Sequence, residues 1–296
     1  MNRPRSSGLA AAITVYRPDH AALERLSGVL AGCTERIYVY IDGPTGEAID
    51  LDGLAIFEGR DAFRVIQSPH NAGIATGLNK MVAAAIEDGF KRLIFFDQDS
   101  DVEPQLPWAL DAVLGEIGRQ GYRPAAVGPM PTAAEPQSKA PSYRPTGRRS
   151  DAREEVAYLI VSGCCLDLPA FEAIGPFRED LRMDGVDVEW SFRARSRGYS
   201  LWCDTASIMP HRVGNGIVRL GPVAFPRQKA ARMLNYVYSQ ALLLRLAHVP
   251  TSWKLRSMIY VPLQVLAYAL KSPWSPGFVG RAIDAARSGF AAGGKR

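Results

Sequence analysis

Residues 93–101 read LIFFDQDSD, four apolar residues that run directly into aspartates at every second position. A short apolar run bounded by a polar turn is typical of a strand buried on both faces. Neighbouring carboxylates repel each other at close range unless a cation lies between them. Asp97 and Asp99 therefore predict a site for a hard cation, Mg²⁺ or Mn²⁺. The simpler alternative is a solvated acidic turn with Ser100 as a helix N-cap.

The chain around this stretch alternates between strand-like and helix-like runs. The predicted strands are LAAAITVY, RIYVYID, FRVIQSP and RLIFFDQD, and the predicted helices cover residues 20–31, 75–87 and 108–118. Apolar strands separated by helices indicate an α/β fold with a mainly parallel central sheet flanked by helices. Ligands of such sheets bind beyond the carboxyl ends of the strands, which is where the aspartates lie.

The second half of the chain is less regular. Residues 131–155 are rich in Pro, Ser and Arg and predict a long surface loop. VAYLIVSGCCLDL predicts a strand pair, which is followed by a helix from Pro169. Helical periodicity prevails after about residue 216. We therefore predict a main domain over residues 1–215 and a C-terminal helical region over residues 216–296.

The composition limits the classes of function. The 296 residues carry a formal net charge of +5, and their basic residues form no aromatic-interleaved strand motif, so a nucleic-acid partner is not expected. The four cysteines show no CxxC or Cys/His metal spacing and predict reduced, buried thiols in a cytoplasmic protein. No uninterrupted apolar segment reaches the roughly 18–20 residues that span a bilayer.

Three further motifs carry candidate chemistry. In GVDVEWSFRARSRGY, residues 185–199, Asp187 is either a helix-capping acid or a general base that faces an acceptor hydroxyl. HNAGIATGLNK, residues 70–80, is either a turn before a helix or a loop whose glycines let the backbone approach a ligand. His211 follows a strand beside glycines, and its imidazole is either structural or a further metal ligand.

In this order, the motifs resemble those of the inverting family-2 glycosyltransferases with the GT-A fold, and within them the bacterial rhamnosyltransferases. The resemblance covers roughly residues 9–240. It is carried by ITVYRPD, YIDG, HNAGIATGLN, FFDQDS, the Ser162-Gly163 pair, DGVDVEWSFRARSRGY and HRVGN. FFDQDS points to the rhamnosyl branch, since the general family usually carries a different acidic triplet.

The resemblance implies a metal-dependent hexosyltransferase that moves L-rhamnose from dTDP-L-rhamnose onto a glycan acceptor. A lipid-linked acceptor in cell-surface polysaccharide synthesis, such as that of O-antigen, would suit this activity. The implied donor contacts are Thr14, Tyr16, Asp42, Asn71, Gly73, Asn79, Asp97, Gln98 and Asp99, with Mg²⁺ or Mn²⁺ held by Asp97, Asp99 and His211. Asp42 would accept a hydrogen bond from the pyrimidine ring. Asp187 matches the catalytic base, and the implied acceptor-site residues are Gly163, Glu189, Trp190 and Arg193.

The chain departs from the family pattern at two places. The family often carries an Arg-Asn pair after a tyrosine pair, and the corresponding stretch here is NYVYSQ, residues 235–240. Gly214-Asn215 stands where Gly-Asp is more usual. The first departure bears on the sugar and the acceptor, and the second bears on the metal or the loop around it.

The C-terminal region mixes apolar helical faces with basic and aromatic residues. Basic amphipathic helices that contain Trp and Tyr can lie in the plane of an anionic membrane surface. We therefore predict peripheral contact with the inner face of the cell membrane. The alternative is that these helices pack on the main domain or form a homodimer contact.

Other interpretations stay open. Another donor, UDP-galactofuranose or a UDP-hexose, would suit the same fold. A sugar-nucleotidyltransferase would also be α/β with acidic metal ligands, but it normally carries a glycine-rich loop with Arg and Lys after the first strand, where this chain has TVYRPDH. A non-catalytic nucleotide-sugar-binding protein would leave Asp187 without a task.

Overall fold

The computed structural model describes residues 8–17, 19–43, 57, 60–134, 140–181, 183–211, 216–271 and 277–294. The strands are β1 Leu9–Val15, β2 Arg36–Ile41, β3 Phe63–Gln67, β4 Arg92–Asp97, β5 Pro124–Ala133, β6 Pro145–Ser150, β7 Arg153–Val156, β8 Cys165–Asp167, β9 Ser200–His211, β10 Ile217–Leu220 and β11 Val223–Pro226. The helices are α1 His20–Cys33, α2 Ile74–Glu87, α3 Leu106–Arg119, α4 Leu168–Ile174, α5 Val186–Ser196, α6 Ala230–Leu243, α7 Thr251–Lys271 and α8 Phe278–Ala292.

Nine strands form one sheet in the order β3-β2-β1-β4-β8-β5-β9-β7-β6. The strands β3, β2, β1 and β4 are parallel neighbours, whereas β8 is antiparallel to both β4 and β5. In the register of the parallel group, Thr14 pairs with Tyr40 on one side and with Asp97 on the other, so these strands end at a common edge. The predicted α/β fold with a mainly parallel central sheet is confirmed.

Helices cover both faces of the sheet. Leu9, Ala11 and Ile13 point to one face and pack with the buried leucines of α1 and α3. Ala10 and Ala12 point to the other face, where their cluster includes apolar residues of α2, α4 and α5. Because successive residues of a strand face opposite sides, a strand covered on both faces must be apolar at every position. This explains why the apolar runs located the parallel strands.

The surface loop predicted over residues 131–155 is wrong for the part that the structure describes. Strand β5 continues to Ala133, and β6 and β7 form an antiparallel pair that joins the sheet through β9. Strand β6 lies at the sheet edge, so its polar side chains can face solvent, and Arg149 pairs with Glu154 across to β7 at 2.6 Å. The strand pair predicted in VAYLIVSGCCLDL is also wrong, because β8 is the one strand after Val156 in that stretch.

The C-terminal part begins with the β10–β11 hairpin and continues with helices α6 to α8. A separate apolar cluster around Val237, Tyr268 and Phe278 joins these elements. In the described part of the chain, no helix combines the length and apolar character needed to cross a bilayer. The four cysteines are free and buried, as predicted. The domain division at residue 216 stays a prediction, and residues 212–215, with Gly214-Asn215, lie outside the described residues.

Candidate active site

The parallel strands bring three predicted donor residues to one edge of the sheet. Thr14 and Asp97 lie near the ends of β1 and β4, and Asp42 directly follows β2. The Asp42 carboxylate accepts hydrogen bonds from the backbone amides of Ala72 and Gly73, at 2.8 and 3.2 Å. Asp42 also accepts a long hydrogen bond from the Tyr40 hydroxyl, at 3.4 Å, and so fixes the loop that leads into α2.

Two other predicted donor residues also organise the backbone. The side-chain amide of Gln98 pairs with the main chain of Tyr16, accepting from its N–H at 2.7 Å and donating to its C=O at 3.0 Å. The amide of Asn79 makes a matching pair with the main chain of Phe177, at 2.9 Å each. Asn79 therefore holds the segment after α4 in place instead of lying open to a diphosphate. Asn71 is exposed.

A cleft of about 420 Å³ gathers the central candidates. Asp97, Asp187 and His211 line it together, so the acids at the end of β4 and at the start of α5 face one cavity. Asp99 lies in the exposed turn just after β4, and its charge acts on both Asp97 and His211.

The Asp97 end of the cleft holds negative charge that is poorly neutralised. Burial raises the pKa of the Asp97 carboxyl, and the negative charge of Asp99 raises it further. The positive form of His211 and a hydrogen bond from Ser162 act in the opposite direction and lower this pKa. Burial also lowers the pKa of His211. Over the described ranges, Asp97 forms no ion pair with Lys or Arg, and no three His, Cys, Asp or Glu side chains gather closely enough to hold a metal alone.

Asp187 lies in the first turn of α5, and Gly185 determines how that turn begins. Gly185 has φ +85°, a left-handed conformation that other residues adopt only with strain. The Asp187 carboxylate accepts a hydrogen bond from the backbone amide of Val188 at 2.8 Å. Burial raises the pKa of Asp187 to about 6, and the charges of Asp184 and Asp97 contribute to the rise. A carboxylate with this pKa can take a proton near neutral pH.

Glu189, Trp190 and Arg193 lie beneath the cleft and do not line it. Glu189 is fully buried, and its carboxylate accepts from Arg193 Nε at 3.0 Å and Nη2 at 2.9 Å. His248 Nε2 lies 2.8 Å from the same carboxylate. Burial alone would raise the pKa of Glu189, but the hydrogen bonds from His248 and Arg193 outweigh it and lower the pKa. Trp190 is 2% exposed and donates to Gly175 O. In the structure, the contacts of Glu189, Trp190 and Arg193, which were predicted to lie in the acceptor site, hold α5 in position.

Gly163 also supports the cleft from behind. Its φ is +78°, and a Cβ at this position would lie 2.8 Å from the Met209 sulfur. Its backbone amide donates to Phe95 O at 2.7 Å, which closes the turn that presents Ser162 to the cleft. Ser162, rather than Gly163, therefore lines the cleft.

Sequence reasoning missed the opposite wall of the cleft, which the C-terminal helices supply. This wall consists of Arg232, Tyr236 and Gln240 on α6 and Trp253, Arg256, Tyr260 and Gln264 on α7. These positions recur at intervals of three or four residues, which places them on one face of each helix. The signal that could have found them is this polar and aromatic helical stripe.

Gln228, Gln264 and Asp184 contribute further polar groups to the lining of the cleft. The amide oxygens of Gln228 and Gln264 are buried and, within the described ranges, accept no hydrogen bond, although both residues line the cleft. Buried amide oxygens of this kind are normally satisfied, so they are suited to a ligand hydroxyl. Asp184 accepts from Arg232 and from Asn235, each at 3.3 Å, and so joins the start of α5 to α6.

Comparisons with known proteins agree with this architecture. No protein-family model matches the chain. The dTDP-rhamnosyl transferase RfbF of Shigella flexneri is 24% identical over 269 residues, which cover 86% of each chain. GalNAc-T7 with UDP, GalNAc and Mn²⁺ superposes with a TM-score of 0.57 at 14% identity. The match covers 90% of this chain and 57% of GalNAc-T7, so the present chain spans little more than half of GalNAc-T7. The mannosyltransferase PcManGT from Pyrobaculum calidifontis, in complex with GDP-Man and Mn²⁺, superposes with a TM-score of 0.56 at 12% identity. The match covers 97% of this chain and 84% of PcManGT. The GT-A fold and the predicted resemblance to the rhamnosyltransferase branch are confirmed.

Proposed function

We propose that this protein is an inverting glycosyltransferase that moves L-rhamnose from dTDP-L-rhamnose onto a glycan acceptor. The observation that carries the proposal is the shared cleft, in which a carboxylate with a raised pKa, Asp187, faces the same cavity as Asp97 and His211. A base on one side and a charge-binding group on the other are what displacement at an anomeric carbon needs. The rhamnosyl donor is supported by the relative from Shigella flexneri.

The residues at the end of β4 fit a divalent cation that is shared with the donor. Asp97 and Asp99 offer carboxylate oxygens and His211 offers an imidazole. Asp97 is half-buried and, within the described residues, forms no ion pair with Lys or Arg. These groups are too few and too dispersed to hold a metal alone. Mg²⁺ and Mn²⁺ sites are commonly completed by substrate phosphates, which matches such an incomplete protein set. A bound ion of this kind supplies positive charge to the diphosphate that departs.

The chain's own residues would then perform the transfer in one displacement. Asp187 takes the proton of the acceptor hydroxyl as its oxygen forms the bond to the anomeric carbon. The bond from that carbon to the diphosphate oxygen breaks, and its electron pair leaves with the diphosphate. Arg232, whose positive charge reaches Asp97 and His211, adds stabilisation of that leaving group. Attack from the side opposite the leaving group inverts the anomeric centre.

A thermal-shift panel of nucleotide sugars tests the donor and the metal. Ligands that bind the native state raise the apparent melting temperature. We expect the largest rise with dTDP-L-rhamnose together with Mn²⁺ or Mg²⁺, and a smaller rise when EDTA is present. A larger response to UDP-galactofuranose or to a UDP-hexose would replace the donor. No response to any nucleotide sugar would remove the proposal.

We further propose that the protein works at the cytoplasmic face of the membrane on a lipid-linked acceptor. Leu255, Ile259, Leu266 and Leu270 are between 47% and 66% exposed and lie along one face of α7. Lys254 and Lys271 lie at the two ends of this stripe. An exposed apolar helix face with flanking lysines is suited to the surface of an anionic bilayer.

Co-sedimentation with phosphatidylglycerol vesicles at low salt tests this contact. We expect the wild type to bind and Ile259→Glu to remain in the supernatant. Ile208→Glu is the matched control, because Ile208 is 58% exposed on β9, away from α7. If Ile259→Glu binds like the wild type, the membrane contact is refuted. If the wild type forms a dimer that Ile259→Glu disrupts, without vesicle binding, the stripe is a homodimer contact instead.

A further inference from the structure

A second cavity, of about 630 Å³, adjoins the candidate cleft between α5 and the start of α7. Tyr158, Trp253 and Arg256, together with Ser142, line both cavities and therefore lie at the boundary between them. The rings of Tyr158 and Trp253 lie 5.5 Å apart in an edge-to-face arrangement. A ligand that extends from the cleft into the second cavity would therefore pass over an aromatic wall, a surface on which sugar rings pack well.

The two cavities differ in the charged groups that line them. The cleft is lined by the carboxylates of Asp97, Asp184 and Asp187 together with the guanidinium groups of Arg232 and Arg256. The charged residues of the second cavity are Arg144, Arg195 and Arg256, and its described lining contains no Asp or Glu. Among the described lining residues, carboxylates therefore occur only on the cleft side of the aromatic wall, and arginines are the charged groups beyond it.

The three arginines retain unused donors. Arg144 donates to Ser252 Oγ at 3.2 Å, and Arg256 lies over the rings of Trp253 and Tyr260. Within the described residues, none of the three arginines forms an ion pair. A neighbouring surface arginine behaves differently, since Arg148 pairs with a carboxylate 3.5 Å away. Each guanidinium carries five donors in a fixed fork that matches the oxygens of a phosphate.

Helix α5 relates the two sites to each other. Asp187 lies in its first turn and Arg195 lies near its end, eight residues later. At 1.5 Å of rise per residue, the two positions are about 12 Å apart along the helix axis. A short glycosyl phosphate could thus reach the base with a sugar hydroxyl while its phosphate remains among the arginines.

We propose that the second cavity binds the phosphate or diphosphate ester of the acceptor glycan. This proposal rests on the proposed glycosyl transfer, since it assigns the acceptor to a site beside the base. The acceptor class is then a sugar phosphate or diphosphate whose anion is held by Arg144, Arg195 and Arg256. The sugar crosses the wall formed by Tyr158 and Trp253.

Calorimetric titration with glucose 1-phosphate and with methyl glucoside tests the site, in the presence of saturating dTDP and Mg²⁺ to occupy the donor end. We expect glucose 1-phosphate to bind at least about tenfold more tightly than methyl glucoside. The double variant Arg144→Gln/Arg195→Gln should lower the affinity for glucose 1-phosphate by roughly tenfold for each arginine removed. Arg25→Gln, an exposed arginine on α1, is the matched control and should leave this affinity unchanged.

The outcomes separate this proposal from the proposed function. Equal affinity for the two sugars, or an unchanged affinity in the double variant, overturns the acceptor site. Retained dTDP binding in the same double variant shows that the fold and the donor end are intact, so the loss is local. Phosphatidylglycerol vesicles distinguish the source of the phosphate: if the double variant loses vesicle binding while glucose 1-phosphate binds as before, the arginines serve a lipid headgroup and the proposal is overturned.

Discussion

Replacing Asp187 with Asn is the most direct test of the transfer mechanism. The amide keeps the shape of the side chain and can still accept from the Val188 amide, but it cannot take a proton from the acceptor. General-base catalysis typically contributes a factor of about 10² to 10⁴, or roughly 2.7 to 5.5 kcal/mol of barrier. We therefore expect kcat for rhamnosyl transfer to fall by that factor, while the affinity for the nucleotide sugar stays near that of the wild type.

The pH dependence follows from the pKa of about 6 for Asp187 in the wild type. The carboxylate is about 90% ionised at pH 7 and about 10% ionised at pH 5, so kcat/KM should fall roughly tenfold between them. Ionisation of Asp187 favours turnover but lowers the stability of the fold. Because burial raises this pKa above the usual Asp value of 3.8, the ionised form destabilises the fold above pH 6. Asp187→Asn should therefore raise Tm at pH 7.5 while it lowers kcat by a factor of about 10² to 10⁴.

A radiolabelled transfer assay with matched donor titrations measures both effects. Asp184→Asn is the control, because Asp184 lines the same cleft but its carboxylate is occupied by Arg232 and Asn235. We expect Asp184→Asn to lose about 1 kcal/mol of the interaction with Arg232 and Asn235 and to keep kcat within a factor of about ten of the wild type. Near-normal transfer by Asp187→Asn, or a pH profile without a limb near 6, would remove Asp187 from the role of base.

Three further predictions concern the metal, the buried pair and the supporting turn. Asp99→Ala should abolish the part of the donor-induced thermal shift that depends on Mn²⁺, and an unchanged shift would exclude Asp99 as a ligand. Arg193→Ala should destabilise the protein by about 3 to 5 kcal/mol in urea unfolding, because the fully buried Glu189 would lose both hydrogen bonds from Arg193; a loss under 1 kcal/mol would contradict this. Gly163→Ala should cost about 1 to 3 kcal/mol in the same assay, because a Cβ strains the left-handed turn and contacts Met209; a neutral result would contradict the account of this turn.

The parallel half of the sheet was predictable because burial on both faces leaves a strong signal. In β1 and β4 nearly every residue is apolar and buried, so the apolar runs mark the strands directly. The acids after β4 then had to lie at the edge where neighbouring parallel strands end. Asp97, Asp187 and His211 were named from the sequence, and one cleft does gather them. Their chemical roles stay predictions.

Strands at the sheet edge were not predictable by the same reasoning. PTGRRS forms β6, and much of its surface is exposed because it pairs with β7 on one side only. A strand in that position needs no apolar residues, so its composition is that of a loop. The part of the C-terminal helices that lines the cleft was missed for a related reason. Basic and aromatic residues of this region, Arg232 and Trp253 among them, predicted contact with a membrane surface, whereas a ligand cleft also needs polar and aromatic side chains on a helix face.

The two acids of VDVEW illustrate what helical geometry alone could have decided. Residues two apart on a helix are separated by about 200° around its axis, so Asp187 and Glu189 must face opposite sides of α5. Asp187 faces the cleft with a backbone hydrogen bond, and burial raises its pKa to about 6. Glu189 faces the core, where Arg193 and His248 overcome burial and lower its pKa. Carboxylates whose environments move their pKa values apart can serve different tasks. The ionised, fully paired Glu189 anchors the helix, and this anchoring lets Asp187 remain poorly neutralised where a proton must be taken.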